Sequence, residues 1–337
     1  MNYDIFNLGN VTLQSGERLP NAILAYKTYG KLNEHKNNVI IFPTALGDQH
    51  DQNEWLIGSG MALDPDKYFI IVPNLLGNGL SSSPSNTPAP YDMDNFPKVS
   101  IYDNVVLQHQ LVTEKFGIKK ISLVLGWSMG GLQSYQWGAI YPDMVERIAP
   151  FCGAAKTWSH NYVVLNGLKA SLTASVPSDK LNQLTSENMR TVGSVYAGWG
   201  LSQAFFREEL YRELGCESIE DFVGGILEDS FMKMNPHNFL TMLWTGQNAD
   251  ISDNPIYKGN FEEALSHIKA HAYVMPAKTD LFCTADDNEY EAKHIPNSAY
   301  LPIESIWGHF AGRGINDADN KFIDHNLKSL LALSANR

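Results

Sequence analysis

Short runs of consecutive apolar residues recur in the first part of the chain, separated by polar segments that contain glycine or proline. Three of these runs, at residues 39–42, 68–72 and 121–125, are rich in β-branched residues, which is typical of strands buried on both faces of a parallel sheet. Two earlier segments, 5–13 and 22–29, alternate between apolar and polar residues on either side of a Ser-Gly-Glu turn. This alternation predicts an antiparallel hairpin at the start of the chain.

A helical pattern lies between the second and third of these runs, at residues 100–116. Ser100 and Asp103 have the spacing of a capping box, and Gly117 stands where a helix would end. The apolar positions fall on one helical face, namely Ile101, Val105, Val112 and Phe116. The alternation of strands with helices predicts an α/β architecture in which a mostly parallel sheet is flanked by helices.

The pattern changes after residue 157. Residues 158 to about 256 are predicted as helices and loops without a pair of buried strands, and residues 208–214 form the plainest helical stretch. We therefore expect a helical cap at residues 158–264. It interrupts a sheet domain that is formed by residues 1–157 and 265–337.

Strand character returns in the last part of the chain. Residues 272–275 predict a buried strand, and residues 299–303 a weaker one in which Pro302 fits an edge position better than a central one. Residues 316–331 then predict a closing helix. No internal repeat or low-complexity tract interrupts this organisation.

A Gly-x-Ser-x-Gly motif, Gly126-Trp127-Ser128-Met129-Gly130, directly follows the third buried run and precedes a helical stretch at residues 132–141. The motif alone is a weak signal, but a strand–turn–helix context is what a nucleophile elbow requires. The sharp turn raises the serine hydroxyl above the sheet edge, and the glycines leave room for it. The context predicts the α/β-hydrolase fold, with Ser128 as its nucleophile.

A serine hydroxyl needs a base to take its proton and an acid to orient that base, and in this fold the order along the chain is Ser, Asp or Glu, His. Asp280 lies just past the strand predicted at 272–275, and His309 follows the last strand in a loop that begins with Gly308. Ser128, Asp280 and His309 are therefore the predicted triad. Other acids and histidines fit the order less well: Asp286, Asp287, His294 and His325.

Two further groups of residues are expected near the nucleophile. The backbone N–H of Met129 and one from the loop after the first parallel strand, from Ala45 or Leu46, would form the oxyanion hole. The sequence does not decide between those two residues. Trp127 directly precedes Ser128, and Phe310 directly follows His309; both are candidate substrate contacts.

Charge and cysteine content narrow the class of protein. The 337 residues include 25 Lys and Arg against 37 Asp and Glu, so the net charge is −12. This acidity disfavours nucleic acid or an anionic membrane as a partner. The three cysteines are far apart, and the chain has neither a signal-peptide pattern nor an apolar run of about 18 residues. We expect a cytoplasmic protein with no disulfide.

Neither a metal nor a bound cofactor is predicted. Asp48, His50 and Asp51 are metal-ligand types in one short loop, but without distant partners they are more typical of a solvated turn. The glycine-containing segment 77–79 lacks the lysine and later glycine of phosphate-binding loops, so it predicts a flexible rim of the pocket.

Taken together, several motifs resemble the homoserine O-acetyltransferase group of α/β hydrolases, which includes esterases that act on acetate esters. The resemblance covers most of the chain and implies a Ser–Asp–His triad, a helical cap, ping-pong acyl transfer and commonly a homodimer. It is carried by Thr44-Ala45-Leu46-Gly47-Asp48, Asp94-Asn95-Phe96-Pro97, Asp103-Asn104-Val105, Gly126-Trp127-Ser128-Met129-Gly130-Gly131, Asn238-Phe239-Leu240-Thr241-Met242, Ala249-Asp250-Ile251, Thr279-Asp280-Leu281-Phe282 and Gly308-His309.

One departure from this group bears on the substrate. The acetyltransferases usually carry an acid directly after the catalytic histidine, where it holds the substrate's amino group, and this chain has Phe310 there. Loss of a charged partner at a buried site costs on the order of 2–5 kcal/mol, enough to change substrate preference. We therefore predict a hydrolase of short-chain esters, with a small-molecule acetate ester as substrate. The alternatives are a homoserine O-acetyltransferase that uses acetyl-CoA and a non-catalytic binding protein on the same scaffold.

Overall fold

The structure is a computed structural model, and it describes residues 2–334. Its centre is one eight-stranded sheet in the order β1-β2-β4-β3-β5-β6-β7-β8. All neighbouring strands from β4 to β8 run parallel, whereas β2 pairs antiparallel with both β1 and β4. The strands are β1 (Asp4–Thr12), β2 (Arg18–Tyr29), β3 (Val39–Ile41), β4 (Phe69–Pro73), β5 (Leu123–Trp127), β6 (Arg147–Phe151), β7 (His271–Val274) and β8 (Ser298–Tyr300).

Helices cover both faces of this sheet. Two apolar clusters, one on each face, bury the runs that the sequence marks as buried strands. Within residues 2–334 the α-helices are α1 (Ile101–Gln110), α2 (Met129–Ile140), α3 (Ser159–Thr173), α4 (Ser186–Gly200), α5 (Gln203–Arg207), α6 (Ile219–Phe222), α7 (Asp229–Met232), α8 (Pro236–Gln247), α9 (Phe261–Ser266), α10 (Ala285–His294) and α11 (Asp317–Ala332). Shorter 3-10 turns span His50–Leu56, Met93–Asn95, Leu181–Gln183, Leu210–Leu214 and Gly308–Gly312, and π-helical turns span Leu111–Lys115 and Val223–Glu228.

The predicted α/β-hydrolase architecture is confirmed. The N-terminal hairpin, the parallel strands β3, β4 and β5 and the edge position of β8 all agree with the sequence pattern. Ser100 caps α1 with the expected capping box to Asp103. The whole of the chain between β6 and β7 is described, and it carries helices α3 to α9, in the place where the cap is predicted.

Two local predictions need correction. Strand β6 was missed, because the buried Arg147 at its start and Pro150 within it interrupt the apolar run. The Arg147 side chain donates to the carbonyl groups of Ser122 and Leu330 and lies 2.9 Å from the Glu146 carboxylate, so its charge is paired although it is buried. The helix predicted at 208–214 is instead a short 3-10 turn, since the backbone of Glu209 is left-handed (φ +53°) and ends the preceding helix.

A buried carboxyl group on α10 binds the segment that leads from β6 into α3. Glu291 of α10 is completely buried, and its Oε1 accepts hydrogen bonds from the Ala155 amide at 2.9 Å and the Trp158 indole at 2.8 Å. Burial, only partly offset by these bonds, raises the pKa of Glu291 to about 8. The carboxyl group is therefore neutral in the folded protein at pH 7.

This ionisation predicts a pH-dependent stability. Between about pH 4.5 and pH 8 the unfolded chain has released this proton while the folded chain retains it, so stability falls as pH rises. The slope from this one group is about 1.4 kcal/mol per pH unit. In Glu291→Gln we expect that part of the slope to be lost, measured as the free energy of unfolding in urea at several pH values. An unchanged slope would show that Glu291 is already ionised in the folded protein.

Candidate active site

Ser128 occupies a strained turn between β5 and α2. Its backbone has φ +55° and ψ −121°, a conformation that non-glycine residues rarely adopt and that is typical of a nucleophile elbow. The surrounding glycines are required because a side chain at these positions would clash with the neighbouring backbone. A Cβ on Gly126 would lie 2.2 Å from the carbonyl carbon of Gly130, and one on Gly130 would lie 2.7 Å from the Pro43 oxygen. The motif therefore folds as its sequence context predicts.

The structure brings the three predicted side chains together. His309 Nε2 lies 2.9 Å from the Ser128 hydroxyl oxygen, and His309 Nδ1 lies 2.7 Å from Asp280 Oδ2. All three residues are buried, with 7% of Ser128, 4% of Asp280 and 1% of His309 exposed. With the proton on Nδ1 donated to Asp280, Nε2 is free to accept the serine proton, which is the arrangement that general-base activation needs.

The Asp280 carboxylate is fixed by the backbone that follows it. Its Oδ1 accepts hydrogen bonds from the amides of Phe282 at 2.7 Å and Cys283 at 3.0 Å, which leaves Oδ2 for the imidazole. These bonds hold the carboxylate oxygens in place, so the imidazole is held in one orientation and one tautomer.

The rival acids and histidines are not placed at this site. Asp286 is exposed, and Asp287 accepts a hydrogen bond from the Thr284 hydroxyl at the start of α10. His294 lies at the end of the same helix, with Nδ1 2.8 Å from the Tyr290 carbonyl oxygen. His325 is exposed on α11.

The candidate oxyanion donors are backbone amides at the start of α2 and in the loop after β3. Met129 is the first residue of α2, so its amide has no partner within the helix. Within residues 2–334 the amides of Ala45 and Leu46 also donate to no protein acceptor. The loop that carries them is tied to α2, because Gln133 Nε2 donates to the Thr44 carbonyl at 3.0 Å. Both loop amides are therefore available as the second donor.

Trp127 is part of the site through its indole ring. Its Nε1 donates to the backbone carbonyl of His309 at 2.9 Å, and the two rings lie 5.0 Å apart. Gly308 permits this loop, because its φ is +60° and a Cβ there would lie 2.9 Å from the Gly200 carbonyl oxygen. Trp127 thus fixes the histidine loop as well as lining the cavity.

An ion pair that sequence analysis missed joins the two loops of the site; Asp48 is buried, whereas a quarter of the Arg313 side chain is exposed. Arg313, on the histidine loop, places one guanidinium nitrogen 3.0 Å from each carboxylate oxygen of Asp48, which follows the oxyanion loop. The guanidinium also stacks over Trp127 at 4.8 Å. Burial raises the pKa of the Asp48 carboxyl, although the positive charge of Arg313 acts in the opposite direction. No spacing rule links residues so far apart in sequence, so no signal pointed to this pair.

The acidic loop at residues 48–51 does not form a cluster of metal ligands. Asp48 is engaged by Arg313, and the His50 ring packs against Asn74 and Tyr3. Within the part of the chain that the structure describes, no group of three or more His, Cys, Asp or Glu side chains is arranged to hold a metal ion.

Loss of the ion pair should destabilise the protein. In Arg313→Met the Asp48 carboxylate stays buried without its counter-ion, and we expect about 2–4 kcal/mol less stability at pH 7, measured by urea unfolding. A raised pKa in the folded state means that stability falls as pH rises above the unfolded value of 3.8, so the deficit should shrink near pH 4. The double variant Asp48→Asn/Arg313→Met should recover most of the loss. A single variant as stable as the wild type would contradict this role.

A small apolar cavity opens beside the Ser128 hydroxyl, with a volume of about 120 Å³. Both candidate substrate contacts, Trp127 and Phe310, line it. Phe310 is 8% exposed and packs on Tyr196, with ring centroids 5.8 Å apart. No carboxylate side chain is among the described lining residues, which are Leu46, Trp127, Ser128, Tyr196, Ile226, Leu227, Ser230, Phe231, Met234, Phe239, Phe282, His309, Phe310, Arg313 and Ile315.

Comparison with known proteins agrees with this fold. Residues 38–184 match the family model described as the alpha/beta hydrolase fold. The chain therefore belongs to the α/β-hydrolase family of enzymes, in the group that holds acetate-ester hydrolases and homoserine O-acetyltransferases. Within that group it is 38% identical to an ethyl acetate hydrolase of Pseudomonas veronii, over 99% of this chain and 96% of that protein.

Two other relatives show the similarity to both branches of this group. A crystal structure of an acetylester hydrolase from Corynebacterium glutamicum superimposes with a TM-score of 0.95 at 36% identity, covering 98% of this chain and 96% of that one. A homoserine O-acetyltransferase of Trichormus variabilis is 28% identical, over 89% of this chain and 86% of that protein. None of the helices in residues 2–334 is both long and apolar enough to cross a membrane.

Proposed function

We propose that this protein hydrolyses short-chain carboxylic esters, with acetate esters as the preferred class, through an acyl-enzyme on Ser128. The observation that carries the proposal is the hydrogen-bonded series Ser128–His309–Asp280, which opens into a small apolar cavity. The names of the esterase relatives support the same class of substrate.

Acylation begins when Ser128 Oγ attacks the ester carbonyl carbon while His309 Nε2 takes the hydroxyl proton. Asp280 stabilises the imidazolium that forms, and the amides of Met129 and of Ala45 or Leu46 donate to the oxyanion. The bond from carbon to the alcohol oxygen then breaks, and His309 returns the proton to that oxygen. The alcohol leaves and the acyl group stays on Ser128.

Deacylation repeats these steps with water as the nucleophile. His309 Nε2 takes a proton from water as the water oxygen bonds to the acyl carbon. The bond from that carbon to Ser128 Oγ then breaks, and His309 returns the proton to Oγ. The carboxylic acid leaves. These steps use only side chains and backbone amides of the protein, and none of them needs a metal or a cofactor.

The cavity volume supports a small substrate. An engineered protein cavity of about 150 Å³ holds one benzene molecule. At about 120 Å³ the space beside Ser128 suits an ester of comparable size, such as ethyl acetate, but not a long acyl chain. Apolar side chains form most of its wall, which suits an uncharged ester.

The residues that line the cavity also argue against an amino acid such as homoserine as the acceptor of the acyl group. A substrate ammonium group buried here would meet no carboxylate among the lining residues, and the one charged side chain, Arg313, is positive. Desolvating an ammonium without a partner is unfavourable by several kcal/mol. Water is therefore the proposed acceptor, and homoserine with acetyl-CoA is the alternative.

The test is acyl transfer with defined substrates. Purified enzyme is incubated with ethyl acetate, with and without homoserine, and separately with acetyl-CoA plus homoserine. We expect hydrolysis of ethyl acetate that homoserine does not divert, and no release of CoA. Homoserine-dependent release of CoA would make the protein an acetyltransferase and contradict the argument from Phe310.

The remaining expectations belong to the same proposal. We propose a cap at residues 158–264, a cytoplasmic location and a homodimer, with neither nucleic acid nor a membrane as partner. The resemblance to the acetyltransferase group supports the dimer, and the acidic composition disfavours the excluded partners.

A further inference from the structure

A second cavity adjoins the one beside Ser128. It has a volume of about 360 Å³, and Ser230 and Met234 line both spaces. We call the first the acyl chamber and the second the outer chamber. The outer chamber is lined by Gly47, Gln49, Asp51, Gln52, Asn78, Gly79, Ser230, Lys233, Met234, Asn235, Asn238 and Met242.

Met234 stands between the chambers. It follows α7, where its amide donates to the Phe231 carbonyl at 2.9 Å. Its side chain lies over the loop that follows β3, so closely that a Cβ on Gly47 would be 2.9 Å from the Met234 sulfur. The unbranched thioether has several rotatable bonds, so it can close this passage and still yield to a ligand.

The outer chamber differs from the acyl chamber in chemistry. Its wall carries five amide side chains, whereas its two charged side chains, Asp51 and Lys233, are of opposite sign. Within residues 2–334, the side-chain nitrogens of Gln52, Lys233 and Asn235 donate to no protein acceptor, and all three residues are exposed to solvent. The exposed amide donors of Gln52 and Asn235, beside one acidic and one basic side chain, suit hydroxyl groups rather than an ion or an alkyl chain.

We infer that Met234 is a specificity-determining barrier, and that the outer chamber binds the alcohol portion of esters whose alcohol carries further hydroxyl groups. This inference rests on the proposed ester hydrolysis. The acyl group would lie in the acyl chamber, and an alcohol larger than ethanol would extend past Met234 toward the amides. The substrate class is then short-chain esters of polyhydroxylated alcohols.

The experiment compares three acetate esters: ethyl acetate, glycerol 1-acetate and 2-methylbutyl acetate. The last differs from glycerol 1-acetate only by methyl groups in place of hydroxyl groups, so the pair isolates polarity at constant size. For the wild type we expect kcat/KM to be about fivefold or more higher for glycerol 1-acetate than for 2-methylbutyl acetate. Equal values, or a preference for 2-methylbutyl acetate, would overturn the assignment of the outer chamber.

The barrier is tested by Met234→Ala, with Met232→Ala as matched control. Met232 lies in the same segment with similar burial and lines neither chamber. We expect Met234→Ala to raise kcat/KM for glycerol 1-acetate about tenfold relative to ethyl acetate, and Met232→Ala to leave that ratio unchanged. The same ratio in both variants would overturn the role of Met234.

Failure of this inference is distinguishable from failure of the proposed function. Hydrolysis of ethyl acetate by the wild type without the expected ratios would overturn the inference alone. A wild type that hydrolyses none of the three esters would overturn both.

Discussion

Ser128→Ala should lower kcat for ester hydrolysis by on the order of 10⁵–10⁶, with the fold intact. The hydroxyl is the only group removed, and without it no acyl-enzyme can form. The imidazole and the backbone donors remain, so we expect a residual rate above that of uncatalysed ester hydrolysis in water. Steady-state kinetics with ethyl acetate measures the loss, and circular dichroism checks the fold.

Ser134→Ala is the matched control for this change. Ser134 is also buried, lies on α2 close to the elbow and donates only to the Gly130 carbonyl at 2.9 Å. We expect that variant to keep near-wild-type kcat. Near-wild-type activity in Ser128→Ala itself would rule out Ser128 as the nucleophile.

Asp280→Asn should lower kcat about 10⁴-fold while the side chain keeps its position. An amide nitrogen facing His309 Nδ1 would favour the other imidazole tautomer, in which Nε2 carries the proton and cannot accept one from serine. The Asn oxygen can still accept from the Phe282 and Cys283 amides, so little unfolding is expected. The measurement is kcat together with the unfolding midpoint in urea.

The control for Asp280 is Asp286→Asn, the exposed acid six residues along the same loop and helix. It makes the same chemical change away from His309 and should leave kcat unchanged. If Asp286→Asn, rather than Asp280→Asn, removed the activity, the assignment of the acid would be wrong.

The parts of the fold that the sequence predicts are those set by local patterns. Apolar runs mark β3, β4 and β5, and the Gly-x-Ser-x-Gly turn has its meaning only because a strand precedes it and a helix follows. The positions of Asp280 and His309 follow from the chain order of the fold. The strands, the nucleophile elbow and the triad can therefore be predicted from residue type and sequence position alone.

The features that the sequence did not predict depend on contacts between distant segments. Strand β6 was missed because a charged residue such as Arg147 is not expected in a buried strand. The carbonyl groups to which it donates are distant in sequence and are known only from the structure. The pairing of Asp48 with Arg313 joins residues 265 positions apart, and the low-dielectric setting of Glu291 arises only when α10 packs. Such effects need the three-dimensional arrangement, because neither composition nor periodicity encodes them.

The central claim is that the acyl group is transferred to Ser128. It is tested most directly by mixing the wild-type enzyme with 4-nitrophenyl acetate, quenching with acid within the first turnovers and mapping the acetylated peptide by mass spectrometry. We expect an acetyl group on the peptide that contains Ser128, and none in Ser128→Ala. Acetylation of a different residue, or sustained turnover with no acetylated serine at any quench time, would contradict it.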